Sequence, residues 1–180
     1  IPHGSLFKPQ AAQQQLRQFG SNCDAIQFFQ LNTGAKSTQG VLCVNNEYTN
    51  DWLMYPGRRQ VFGTDPRHVR EQITQYPGIV AMSKAAHGIS VVEVIKANGK
   101  WSYRKASKYN RRITADTPFE IKGPARAYAW MKTQADPTGT RALGTFGNCA
   151  GGRTPWGTYL SAEENIQDYF GNFKALNTDA

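Results

Sequence analysis

The sequence predicts a mainly β fold with short helices, and three observations carry that expectation. Short apolar runs rich in β-branched and aromatic residues recur along the chain, each bounded by turn residues. One pair of runs is joined by Asn98-Gly99, the dipeptide that supplies the positive φ angles of a two-residue hairpin turn. Gly and Pro are frequent, 17 and 9 of 180 residues, so the punctuation needed for many short elements is present.

Residues 1–20 are polar and Gln-rich, anchored by Leu16 and Phe19, and read as an extended lead-in or a short helix. Residues 26–31 and 40–44 are apolar runs separated by the polar loop 32–39, and read as two strands. Asp65-Pro66 resembles an N-cap followed by proline at the first helical position. Val69, Ile73 and Tyr76 then recur at helical spacing until Pro77-Gly78 stops them. Residues 89–95 and 101–104 flank Asn98-Gly99 as the arms of a β-hairpin. A short helix is expected over 125–132, a turn at Asp136-Pro137-Thr138-Gly139, and strands over 142–146 and 157–161 around a glycine-rich loop. No change of composition marks a linker, so residues 1–180 read as a single unit. The polar-aromatic ending offers no closing element for an open β arrangement, and the N-terminal Ile1-Pro2-His3-Gly4 lacks the basic and apolar regions of an export signal. The start therefore reads as a mature chain or one cut from something longer, and the ending as that of an incomplete chain.

Composition removes several classes of function. Hydrophobic residues make up 39% of the chain and charged residues 19%, which disfavours disorder. No apolar run approaches the ~18 residues of a membrane-spanning helix. The formal charge of +8 favours anionic partners. The basic residues are scattered singly or in pairs such as Arg58-Arg59 and Arg111-Arg112, with no basic helix or aromatic stacking platform. A small anion such as a phosphoester fits at least as well as nucleic acid, and solvated surface charge accounts for most of these residues. Three cysteines make a poor disulfide framework, and three histidines without ligand spacing make a zinc site unexpected.

The densest chemistry lies in Gly147-Asn148-Cys149-Ala150-Gly151-Gly152-Arg153 and the following Glu163-Glu164-Asn165. A thiol beside glycines and an arginine can serve as nucleophile or metal ligand, and the carboxylates add hard oxygen donors. If the preceding strand runs on, Glu163 and Glu164 point to opposite faces, so at most one readily joins Cys149. Glu47, within Val44-Asn45-Asn46-Glu47-Tyr48-Thr49-Asn50, lies where an apolar strand emerges into polar groups. Arg111 and Arg112 could grip a phosphate together. Each candidate also has a structural reading: a buried small hydrophobe for Cys149, solvated surface for the glutamates, an Asn-rich turn around Glu47, and exposed charge for the arginines. His87 reads as a hydrogen-bonded structural residue.

Taken together, FGSNCDAIQFF, VLCVNNEYTNDWLMYPG, AAHGISVVEV, YNRRITADTPFEIKGPA, TQADPTGTRALGTFGNCAGGRTPWGTYLSAEEN and DYFG resemble the PhoX-type alkaline phosphatases. The segments run in family order from about Phe19 to Gly171, and the NCAGG…TPWGTYL…EEN block is the most specific. The resemblance implies part of a β-propeller-type fold, incomplete in this chain, and hydrolysis of phosphomonoesters at an iron–calcium centre. It also implies a periplasmic or secreted bacterial enzyme exported by the twin-arginine route. By that resemblance Cys149 takes the place of the iron-binding thiolate. Glu163, Glu164 and Glu47 are candidates for further metal ligation, and Arg111 and Arg112 for phosphate contact. The remaining C-terminal polypeptide, carrying further acidic and arginine residues of the centre, is the implied partner. Where the family usually reads NHEYTN this chain has Asn46. The alternative reading is a non-catalytic propeller fragment that binds phosphate or a protein partner.

Overall fold

The computed structural model describes residues 11–34, 37–50, 54 and 78–169. Its elements run α1 (Ala11–Gln15), β1 (Cys23–Gln30), β2 (Gln39–Asn46), α2 (Ile79–Ala86), β3 (Gly88–Ala97), β4 (Lys100–Tyr103), β5 (Arg111–Ile113), β6 (Pro118–Glu120), β7 (Arg141–Leu143), β8 (Asn148–Arg153) and β9 (Tyr159–Glu163), with 3-10 turns at Ala129–Met131 and Ile166–Tyr169. The strands form a five-stranded antiparallel sheet, ordered β1-β2-β3-β4 with β5 also on β3, and the two hairpin sheets β6-β7 and β8-β9. The mainly β expectation holds, and among the described residues none of these sheets closes on itself.

Alternation along β2 and β3 gives the large sheet two different faces. Val41, Cys43, Ile89 and Val91 form a buried cluster on one face, with Phe29, Tyr109, Ile113 and Tyr159 packed against it. The β8-β9 hairpin lies over this face, and the ring of Tyr159 meets Phe29 edge-on at 6.3 Å. On the opposite face Asn46, Ser90 and Arg112 meet the C-terminal end of α2, whose Ile79, Met82, Ala85 and Ala86 are buried. Each large apolar side chain so removed from water contributes about 1.5–3 kcal/mol.

The hairpin forms as its turn residues require, with φ of 50° at Asn98 and 78° at Gly99. Other elements differ from expectation. The helix anticipated near residues 65–77 lies outside the described residues. Helix α2 was not anticipated; it starts directly after Gly78, read from sequence as a stop, and at 8 residues its packing sustains it. The expected helix over 125–132 contracts to the 3-10 turn Ala129–Met131. The stretch after Gly147 is not a loop. Its glycines have weak strand propensity, yet their backbones ladder with β9, as Gly151↔Ser161 and Gly152↔Leu160. Arg111 and Arg112 likewise sit on a strand, paired with Val91 and Ser90 of β3. Among the described residues no helix is long and apolar enough to cross a membrane.

Candidate metal centre

The start of β1, the exit of β2 and the start of β8 converge on one spot. There Asp24, Glu47 and Cys149 bring a ligand atom each to within 4.8 Å of one another. The Cys149 thiol donates to Asp24 Oδ2 at 3.0 Å. The loop that delivers Glu47 is fixed from the preceding segment: the Glu47 N–H donates to the Asn22 carbonyl at 3.1 Å. In turn Asn22 Nδ2 donates to the Tyr48 carbonyl at 2.8 Å and to Asn50 Oδ1 at 2.7 Å. Asn22 adopts φ 50°, a left-handed conformation that asparagine tolerates better than most residues.

The adjacent glutamates diverge. Glu163 Oε1 accepts the Phe146 N–H at 3.0 Å and so caps the strand entry. The Glu164 N–H is held by the Gly147 carbonyl at 2.8 Å, which keeps its carboxylate beside the Cys149 sulfur. Sequence reasoning missed Asp24. A single aspartate at the start of a strand carries no local signal, and its role depends on a partner far along the chain.

The electrostatics of this cluster are unfavourable for anions alone. Hydrogen bonds to Asp24 and Glu164 push the Cys149 thiol up to about 12. Burial, with the nearby charges of Asp24 and Glu164, raises the Glu47 carboxyl above its ordinary value. A thiol so protonated is a poor nucleophile. Crowded carboxylates and a sulfur would instead be relieved by a bound cation, which favours their ionised forms. The donor set mixes one soft sulfur with hard oxygens, suiting iron at the sulfur and calcium or iron at the carboxylates. The residues present therefore fit the metals that the resemblance implies.

The two arginines separate. As neighbours on β5 they project to opposite faces of the sheet, so they cannot grip one phosphate together. Arg111 is exposed, donates to the Tyr109 carbonyl at 3.0 Å and lines a cavity of about 690 Å³ with Cys43, Tyr159 and Asn148. Arg112 is directed inward and donates to Asn46 Oδ1, Ser90 Oγ and the carbonyls of Ala85, Ala86 and His87. All five acceptors are uncharged, and burial lowers the Arg112 pKa to about 10, leaving it protonated at neutral pH. Asn46, at 0% exposure, belongs to this inward network and also donates to Cys23 Sγ at 3.6 Å. It therefore points away from Glu47, its neighbour at the strand exit. His87 is buried and structural, with Nδ1 2.6 Å from the Ser83 carbonyl and Nε2 3.0 Å from the Tyr169 hydroxyl.

No curated protein matches the chain. A solved structure of Pseudomonas fluorescens PhoX in complex with vanadate, a transition state analogue, is similar over 97% of this chain, with 39% identity and a TM-score of 0.75. The chain spans 28% of that protein's length. That neighbour is propeller-like, and the open sheets here are those of part of such a propeller. The family model described as alkaline phosphatase PhoX matches residues 2–180, and the chain therefore belongs to the PhoX alkaline phosphatase family.

Proposed function

We propose that residues 1–180, acting as one unit, supply part of the metal centre of a phosphomonoesterase, with iron and calcium as its metals. The observation that carries this reading is the convergence of Cys149, Asp24 and Glu47, with Glu164 beside the sulfur, in a chain of this family. The vanadate bound by the Pseudomonas protein supports phosphoryl transfer as the chemistry.

When bound, the cations supply neutralisation of the phosphoryl oxygens as charge moves onto the leaving group. Cys149 would release its proton to solvent on metal binding and contribute an anionic sulfur. Asp24 and Glu47 would contribute carboxylate oxygens, and Glu164, beside the sulfur, is assigned a further one, while Glu163 holds the backbone at Phe146. Arg111 is assigned phosphate contact, and Arg112 the support of the sheet beneath. The remaining C-terminal polypeptide of the enzyme completes the centre and the propeller. Export to the periplasm or exterior by the twin-arginine route accompanies this assignment, as does the use of phosphomonoester substrates.

The test is Cys149→Ala in the full-length protein, with iron content and p-nitrophenyl phosphate turnover measured together. Loss of both is expected. A folded variant with full iron and near-parental turnover would overturn the assignment.

A further inference from the structure

We infer that Asn45 is a positioning residue for Cys149: its side-chain amide holds the irregular start of β8 so that the sulfur faces Asp24 and Glu47. The inference rests on the metal-centre reading above and assigns a role to a side chain outside the candidate ligands.

The register of β8 on β9 shifts between Asn148 and Gly151. Cys149 and Ala150 therefore sit where the ladder is interrupted, and their carbonyls need other donors. Asn45 Nδ2 serves both, at 2.8 Å to the Cys149 carbonyl and 3.1 Å to the Ala150 carbonyl. Asn45 Oδ1 accepts from the Tyr159 hydroxyl at 2.9 Å and from Ser161 Oγ at 3.0 Å. Both donors and both lone-pair positions of the amide are thus engaged at 0% exposure.

This arrangement has one orientation. Flipping the amide would set its oxygen against two carbonyls, which have no proton to give. Asn45 also lies at the end of β2, two residues before Glu47, which follows directly on the strand. One strand end thereby sets the carboxylate directly and the sulfur through the amide. Groups that orient a metal ligand in this way typically change metal affinity by about 10–100-fold when removed.

The test compares Asn45→Asp with Ser161→Ala in the full-length protein, reading iron affinity by chelator competition alongside the unfolding temperature. Asn45→Asp keeps the shape and the acceptor toward Tyr159 and Ser161 but loses both donors. It is expected to weaken iron binding about 10–100-fold. Ser161→Ala removes a partner of Asn45 without touching the two carbonyls, and is expected to lower the unfolding temperature with iron affinity within about twofold of the parent. Should Asn45→Asp fail to fold, Asn45→Ser carries the same expectation for iron. A folded Asn45 variant that binds iron like the parent overturns the inference. So does a Ser161→Ala protein that loses iron to the same degree, because the effect would then track stability alone. A parent that binds no iron and turns over no p-nitrophenyl phosphate overturns the phosphatase reading and this inference together. An iron-loaded, active parent with an unaffected Asn45→Asp variant removes only the inference.

Discussion

The Sγ of Cys149 lies 3.0 Å from Oδ2 of Asp24, a residue 125 positions earlier in the chain. In the metal-free protein this contact and Glu164 keep the thiol protonated until about pH 12. A cation that takes the sulfur as ligand must displace that proton, so binding is linked to pH. Between about pH 7 and about pH 9, below the raised pKa of the thiol, each pH unit eases the loss of that proton, and apparent affinity should rise about tenfold per unit. Chelator competition across that range measures the slope. An affinity indifferent to pH would remove the sulfur from the ligand set. Stability of the metal-free protein moves the other way. The folded thiol's pKa is raised from 9.0, so its stabilising contribution is complete below that value and is lost as pH rises toward about 12.

Glu163 and Glu164 should be unequal under the same substitution. Glu164→Gln removes a charge beside the sulfur. Cation affinity should fall about tenfold, the size expected for one charged contact. Glu163→Gln keeps an oxygen for the Phe146 N–H and should leave affinity within about twofold. Calcium titration calorimetry on the two variants of the full-length protein checks the contrast. Equal losses would place both carboxylates at the ion.

Legibility followed the range of each signal. The hairpin at Asn98-Gly99 was readable because the turn residues themselves dictate its backbone, and the apolar runs of β2 and β3 because each occupies consecutive positions. Helix α2 was hidden because eight mostly apolar residues show no polar stripe to contrast with the buried one. Strand β8 was hidden because its glycines read as loop, and its pairing is supplied by β9. At the site, Cys149 and the glutamates stood out through a dense local motif. Asp24 did not, and Asn45 entered only as part of the segment around Glu47, since the importance of both arises only when β1, β2 and β8 come together.

Arg112 should behave as a frame residue and not as a substrate contact. Arg112→Met retains the apolar stem but leaves the carbonyls of Ala85, Ala86 and His87 at the end of α2 short of a donor, while Asn46 Oδ1 keeps the Ser90 hydroxyl. Unsatisfied buried acceptors cost about 1–3 kcal/mol each before water relieves some of them, so a net loss of about 2–4 kcal/mol is expected. Urea unfolding of the full-length protein measures it. The KM for p-nitrophenyl phosphate should stay near the parental value, whereas Arg111→Met should raise it. A raised KM in Arg112→Met without lost stability would return that arginine to the substrate.

Gly147 ties the strand entry to Glu164 through backbone alone. It adopts φ 56°, and a Cβ there would lie 2.1 Å from the Glu164 carbonyl oxygen, which cannot move without carrying Glu164 with it. Gly147→Ala should therefore act twice. The left-handed conformation costs about 1–2 kcal/mol for a residue with a side chain, and the displaced carboxylate should weaken cation binding. Gly157→Ala separates the two effects, because Gly157 has φ 86° with nothing within 4 Å of a built Cβ. That variant should lose a similar strain-related stability and keep its cation affinity. The comparison is read from unfolding temperature and calcium calorimetry on the same samples. If both alanines weakened the cation equally, strain in the hairpin and not displacement of Glu164 would be the cause.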